Sequence, residues 1–177
     1  MQTCCLLDKV ISRYLINGLI NLDKDKPVTK HEALSLDFLE RASSQARLFI
    51  SSESENILKR LAILSDYVDI IDFFLSDVEI AIPTRYFKRW SRRLREFGFT
   101  REDAAMIALA TFSTDKNHSV LGMKYLATYD QPMKNNWSLH KPKIQNRLTA
   151  MKKDIPKFYN VSLPQILYPE NINFKRR

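Results

Sequence analysis

The feature that most constrains this chain is a recurrence of short apolar runs of strand length, each followed by longer stretches with helical periodicity. Thr3–Leu7, Arg47–Ile50, Glu79–Ile82 and Lys124–Thr128 are the strand-like runs. Between them, apolar residues recur at three- and four-residue spacing, as in Val10, Ile11, Tyr14, Leu15 and Leu19. The expected order is β-α-α-β-α-β-α-α-β-α. Strands separated by helices cannot pair as hairpins, so they imply a mostly parallel sheet with helices on both faces. In such a sheet the functional site lies beyond the carboxyl ends of the strands.

Boundary signals support this map. Thr29 and Glu32 have the spacing of a capping box. Ser51 or Ser52 can cap the helix that carries Ile57, Leu58, Leu61 and Leu64, and a break is expected near Ser65–Asp66 before a segment over Tyr67–Leu75. Pro83 suits the first turn of a helix. In Tyr86–Phe97 the residues Tyr86, Trp90, Leu94 and Phe97 share one face, and Gly98 is placed to end the helix. Thr100 caps Arg101–Phe112, which is apolar nearly all round and so should be buried against the sheet. A last helix is expected from about Trp137 to Lys153, capped by Asn135 or Asn136 unless those residues orient a ligand. The tail after Pro156, with its three prolines, is expected to pack as an irregular extension.

The chain has 177 residues, enough for one domain with a sizeable core. It carries no repeat and no apolar run approaching the ~18–20 residues that span a bilayer. Met1–Leu7 is apolar but too short for a signal peptide, so a cytoplasmic protein with no membrane partner is expected. Cys4 and Cys5 are adjacent and would point to opposite faces of a strand, so neither a disulfide nor a zinc site is expected. The net charge of +8 is compatible with nucleic acid or an anionic membrane surface as partner; part of it lies in one helix and part in Lys175–Arg177.

The acidic residues matter once placed on this map. Asp8 follows the first strand and Asp130 the fourth. Glu53 and Glu55 fall just past the second strand, and Asp103 in the first turn of the buried helix. Carboxylates gathered at one edge repel one another unless a cation neutralises them, and hard ions such as Mg²⁺ or Mn²⁺ prefer oxygen ligands. Each residue also has an ordinary role. Asp103 completes a Thr-x-x-Asp box, Glu53 and Glu55 complement a helix dipole, and Asp130 precedes Gln131–Pro132 as a turn residue. Asp8 is hardest to explain so, because it interrupts an apolar strand–helix junction.

Three short motifs, in order, resemble the PIN domain family, whose VapC-like members are ribonucleases. Leu6-Leu7-Asp8-Lys9-Val10-Ile11 resembles the family's opening motif. Phe99-Thr-Arg-Glu-Asp103-Ala104 resembles its central Asp-Ala motif, and Leu126-Ala-Thr128-Tyr-Asp130 its Thr-x-Asp motif. The likeness runs from Cys4 to about Trp137. It implies a three-layer α/β/α sandwich with a mostly parallel sheet of four or five strands, residues 1–140 forming the catalytic domain and 141–177 a C-terminal helix and tail packed on it. It implies an endoribonuclease cleaving single-stranded RNA, with Mg²⁺ or Mn²⁺ held by Asp8, Asp103 and Asp130, and Glu55 as a fourth catalytic acid. Many members are toxins of toxin–antitoxin pairs, so an antitoxin protein and a second copy of the chain join RNA as expected partners. Two departures stand out. Only Lys9 separates Asp8 from Val10, where the family has a small residue and an Asn. The family's acid after strand two aligns near Asn56, with Glu53 and Glu55 beside it, of which Glu55 is preferred. The alternative is a PIN-fold module without catalysis that binds RNA or protein.

Arg85, Lys88, Arg89, Arg92 and Arg95 cluster opposite the apolar stripe of their helix. They form either a solvated face or, for Lys88, Arg89, Arg92 and Arg95, an RNA phosphate-tracking surface. Trp90 is expected in the core, and His31, His118 and His140 at the surface, with no ligand spacing.

Overall fold

The computed structural model describes residues 2–117, 120–156, 159 and 161–174. His118 and Lys175–Arg177, named above, lie outside these residues. The elements are β1 (Thr3–Leu7), α1 (Lys9–Asp23), α2 (Lys30–Ser43), β2 (Ala46–Ser51), α3 (Ser52–Ile63), α4 (Val68–Asp77) and β3 (Val78–Pro83), then α5 (Phe87–Arg95), α6 (Arg101–Thr111), β4 (Ser113–Thr114), β5 (Val120–Leu121), β6 (Tyr125–Ala127), α7 (Gln131–Lys152) and β7 (Gln165–Leu167). A 3₁₀ turn follows at Pro169–Asn171.

The strands form one sheet in the order β5-β4-β3-β2-β1-β6-β7. β3, β2, β1, β6 and β7 run parallel, and β4 and β5 add an antiparallel edge. The chain moves outward from β1 to β2 and β3, then returns to place β6 on the other side of β1. The topological switch point is therefore at β1 and β6, where crossovers leave to opposite sides and open a crevice.

Alternate residues of each strand feed two cores. Leu6, Phe49, Ala81, Leu126 and Ile166 pack with α5, α6 and α7 on one face. Cys5, Leu7, Leu48, Ile50, Val78 and Ala127 pack with α1, α2 and α4 on the other. Parity also separates the cysteines: both are free, Cys5 in one core and Cys4 against the other. Trp90 is fully buried and meets Phe112 edge-on, as the apolar stripe of α5 predicts.

The caps explain the helix starts. Thr29 Oγ1 accepts from Glu32 N while Glu32 Oε2 accepts from Thr29 N, the full capping box. Ser51 caps α3 and Thr100 caps α6. Gly98 takes φ 82°, a left-handed conformation that favours glycine and stops α5.

Three expectations, on the start of α7, on Pro83 and on the tail, are corrected. α7 begins at Gln131, capped by Asp130, whose side chain accepts from Met133 N; Asn135 bonds Gln131, and Asn136 donates to Phe97 O instead of capping. Asp-x-Pro was the overlooked start signal, since Pro132 fits a first turn. Pro83 ends β3 rather than starting a helix. The β4–β5 edge has strands of two residues, too short to show periodicity. The tail is less irregular than expected, because Gln165–Leu167 pairs in parallel with Tyr125–Ala127. α7 is continuous across residue 140.

Candidate active site

At the switch point β1 ends in Asp8 and β6 in Thr128, and a small polar network ties them. Asp8 N donates to Ala127 O at 3.0 Å, continuing the ladder beyond β1. Thr128 Oγ1 donates to Asp8 Oδ2 at 2.7 Å and accepts from Asp130 N at 3.0 Å. One buried hydroxyl thus orients the carboxylate of one motif and the backbone of the other. Asp8 is only 7% exposed. Burial pushes its carboxyl above the ordinary value, the bond from Thr128 opposes this, and the charge of Asp130 adds to it.

Asp8, Asp103, Asp130, Glu53 and Glu102 all line one cleft of about 320 Å³, closed below by Ala81, Met106, Leu109 and Met133. Asp103 reaches it from the first turn of α6. Its amide donates to Thr100 Oγ1 at 3.1 Å, but among the described residues the reciprocal bond to its carboxylate is not made. Capping therefore does not consume this carboxylate, in contrast to Glu32. Asp130 keeps an ordinary role beside the cleft position, since Oδ1 accepts from Met133 N at 2.7 Å. Of the two acids in α3, Glu53 lines the cleft, whereas Glu55 pairs with Lys59 at 2.7 Å one helical turn away.

Lys9 also lines the cleft and forms an ion pair with Glu102 across its mouth. Glu102 raises the pKa of the ammonium, with smaller contributions from Asp8 and Glu53, and Lys9 lowers that of Glu102. Both side chains are more than half exposed, so the pair adds little stability, and its effect is on the charge in the cleft.

These residues suit a hard divalent ion in chemistry. The donors are carboxylate oxygens from three elements on one cavity, and the charge of Asp130 acts on Asp8. As they stand, no three His, Cys, Asp or Glu side chains among the described residues are close enough to grip an ion. The carboxylates would have to close inward on one.

The basic helix continues from this cleft. Lys88, Arg92 and Arg95, with Arg101, line a groove that shares Glu53, Phe87 and Glu102 with it. Arg89 faces elsewhere, towards Arg147 and Asp154 on the α7 side. On the opposite flank lies a pocket that sequence reasoning missed. Tyr14, His31, Tyr129 and Tyr168 line it together with Val10 and Asp130, both of which also line the cleft. These rings come from four separate segments, so no local pattern could announce them. His31 is exposed, as expected, and His140 packs on Phe97.

No family model and no curated protein matches the sequence. Among solved structures, the chain is similar to one in the crystal structure of VapBC2 from Rickettsia felis bound to a DNA fragment from their promoter, at 20% identity and a TM-score of 0.51. The likeness covers 75% of this chain and 92% of that one. With the strand order and layers described above, it shows that the chain has a PIN-like α/β/α fold.

Proposed function

We propose that this chain is a metal-dependent endoribonuclease acting on single-stranded RNA. The carrying observation is that Asp8, Asp103 and Asp130, from three separate elements, line one cleft at the switch point of the sheet. Asp8, Asp103 and Asp130 would hold Mg²⁺ or Mn²⁺, with Glu53 or Glu55 as a further acid. The ion, when bound, would polarise a water and the phosphodiester and stabilise the charge that develops in hydrolysis. Thr128 holds Asp8 in place and sets the start of the Asp130 segment. Lys88, Arg92 and Arg95 draw the phosphate backbone along the adjoining groove. Water adds to phosphorus, one P–O bond to the leaving ribose oxygen breaks, and that oxygen takes a proton.

The solved relative is a VapBC complex, and a toxin working in the cytoplasm with an antitoxin partner is the corresponding role here. The apolar side chains of Ile63, Leu64 and Phe73, exposed on and between α3 and α4, support a protein partner. No helix among the described residues is long and apolar enough to cross a membrane. A second reading, a binding module without catalysis, is favoured by one observation, the Lys9–Glu102 pair at the mouth of the cleft.

The test combines metal-linked stability with cleavage. An ion that binds only the folded state stabilises it by mass action. Millimolar Mn²⁺ should raise the melting temperature of the wild type. Asp130→Asn, which keeps the cap oxygen, should reduce that rise and abolish RNA cleavage while RNA still binds. Binding without a metal shift or cleavage in the wild type would establish the second reading.

A further inference from the structure

We infer that the aromatic pocket beside Asp130 is a base-stacking subsite, holding the unpaired base next to the phosphate that lies at the carboxylates. The inference rests on the RNA-cleaving reading and adds to it where a nucleotide sits. Four rings meet here. Tyr14 and His31 stack at 5.3 Å, His31 meets Tyr129 at 4.6 Å, and Tyr129 lies 5.9 Å from Tyr168. A cluster serving only the core would be buried. These side chains are instead half-buried or, for His31, exposed, and they line an open pocket.

Three observations select a base as the occupant. First, the pocket borders the cleft directly through Val10 and Asp130, so a group held here is one nucleotide step or less from the carboxylates. Second, beyond Asp130, which belongs to the cleft, its charged lining residue is Glu170. That carboxylate repels a second phosphate but tolerates a neutral base, whose π face stacks on aromatic rings. Third, the nearby cations lie against the outermost rings: Arg13 Cζ is 5.6 Å from the Tyr14 ring and Lys134 Nζ 3.1 Å from that of Tyr168. There they can meet the backbone on either side of a stacked base. The basic groove of α5 adjoins the other flank of the cleft, so the three surfaces form one track. Phosphates enter along Lys88, Arg92 and Arg95, one phosphate crosses the carboxylates, and the following base is seated on the rings.

The experiment uses binding alone, in EDTA, so that it does not depend on cleavage. Short single-stranded oligoadenylates carry one 2-aminopurine, moved along the strand, and a matched series has that base removed. With wild-type protein, fluorescence should be quenched at one or two positions, and removing the base there should weaken binding by roughly 5- to 150-fold, the range for one stacked base. Tyr14→Leu and Tyr168→Leu should each shrink both effects. His31→Ala, at an exposed position in the first turn of α2, should do so in part. Lys88→Ala should weaken all oligomers alike and leave the base effect intact. If RNA binds with its usual salt dependence but base removal costs nothing at any position, or the cost survives in all three ring variants, the subsite is refuted and the nuclease reading stands. If RNA does not bind at all, both fall.

Discussion

Thr128→Val tests whether the switch point is organised as described, independently of any catalysis. Valine matches threonine in shape, so the completely buried site neither gains a cavity nor loses packing, and only the hydroxyl is removed. Two bonds go with it, the donation to Asp8 Oδ2 at 2.7 Å and the acceptance from Asp130 N at 3.0 Å. A hydrogen bond to a charged group contributes about 1.5–3 kcal/mol and a neutral one about 0.5–1.5 kcal/mol, so the variant should lose about 2–4 kcal/mol at neutral pH. For a chain of this size that lowers Tm by roughly 5–15 °C. The loss should depend on pH with a definite sign. The Thr128 bond favours ionised Asp8 and so lowers its pKa, against burial, which raises it. Stability supplied by that bond is therefore present while Asp8 is charged and fades as acid protonates it. In acid the donor faces a neutral carboxyl, and the gap between variant and wild type should narrow by about 1 kcal/mol. Urea unfolding at several pH values measures it. A gap below about 0.5 kcal/mol at pH 7, or one that widens in acid, would refute the proposed coupling of the two motifs.

Replacing Lys88, Arg92 and Arg95 together by Ala should weaken RNA binding and reduce the slope of log K against log salt by about 2, at ~0.7 per phosphate contact on a single strand. An unchanged slope, measured by fluorescence titration, would make that groove a merely solvated face. Lys9→Ala removes an exposed ion pair and should leave stability nearly unchanged, yet it should enlarge the Tm rise produced by Mn²⁺, because the ammonium acts on Asp8 and Glu53. A smaller rise would show that Lys9 assists the site. Arg47→Met probes the other end of the sheet, where the guanidinium binds Glu79 at 2.6 Å through two nitrogens and Asp115 at 2.8 Å. The Asp115 side chain is 3% exposed, so it would lose a buried countercharge at a cost of about 3 kcal/mol, visible as a lower urea midpoint.

The fold was legible where local physics and tertiary context agree. α2, α3 and α6 start at capping residues that the sequence marks, and the four main strands are short apolar runs set between helical patterns. What escaped were elements too short to carry a period. β7 has three residues, only one of them buried, and its place depends on pairing with β6 rather than on its own composition. The start of α7 is ambiguous in the sequence because Asp130 reads as a turn or metal residue, and a helix cap is compatible with either.

The candidate site divides along the same line. Asp8, Asp103 and Asp130 could be placed together because each lies at a strand end or a helix start, and the sheet direction brings those ends to one edge. Choosing between Glu53 and Glu55 was beyond the sequence, because both occupy the first turn of α3 and differ only in azimuth. In the fold that azimuth turns Glu53 into the cleft and Glu55 onto Lys59. Lys9 shows the converse. Next to Asp8 it could point away or into the site, and its direction is decided by Glu102, ninety-three residues later and on another helix. The aromatic pocket lies furthest from any sequence signal. Its rings come from α1, α2, the end of β6 and the segment after β7, and only the parallel pairing of β6 with β7 brings Tyr129 and Tyr168 together. Local pattern thus finds groups fixed at element ends. Groups that meet by packing are found only once the topology is known, and here they supply what distinguishes this cleft: a lysine at its mouth and a wall of rings at its side.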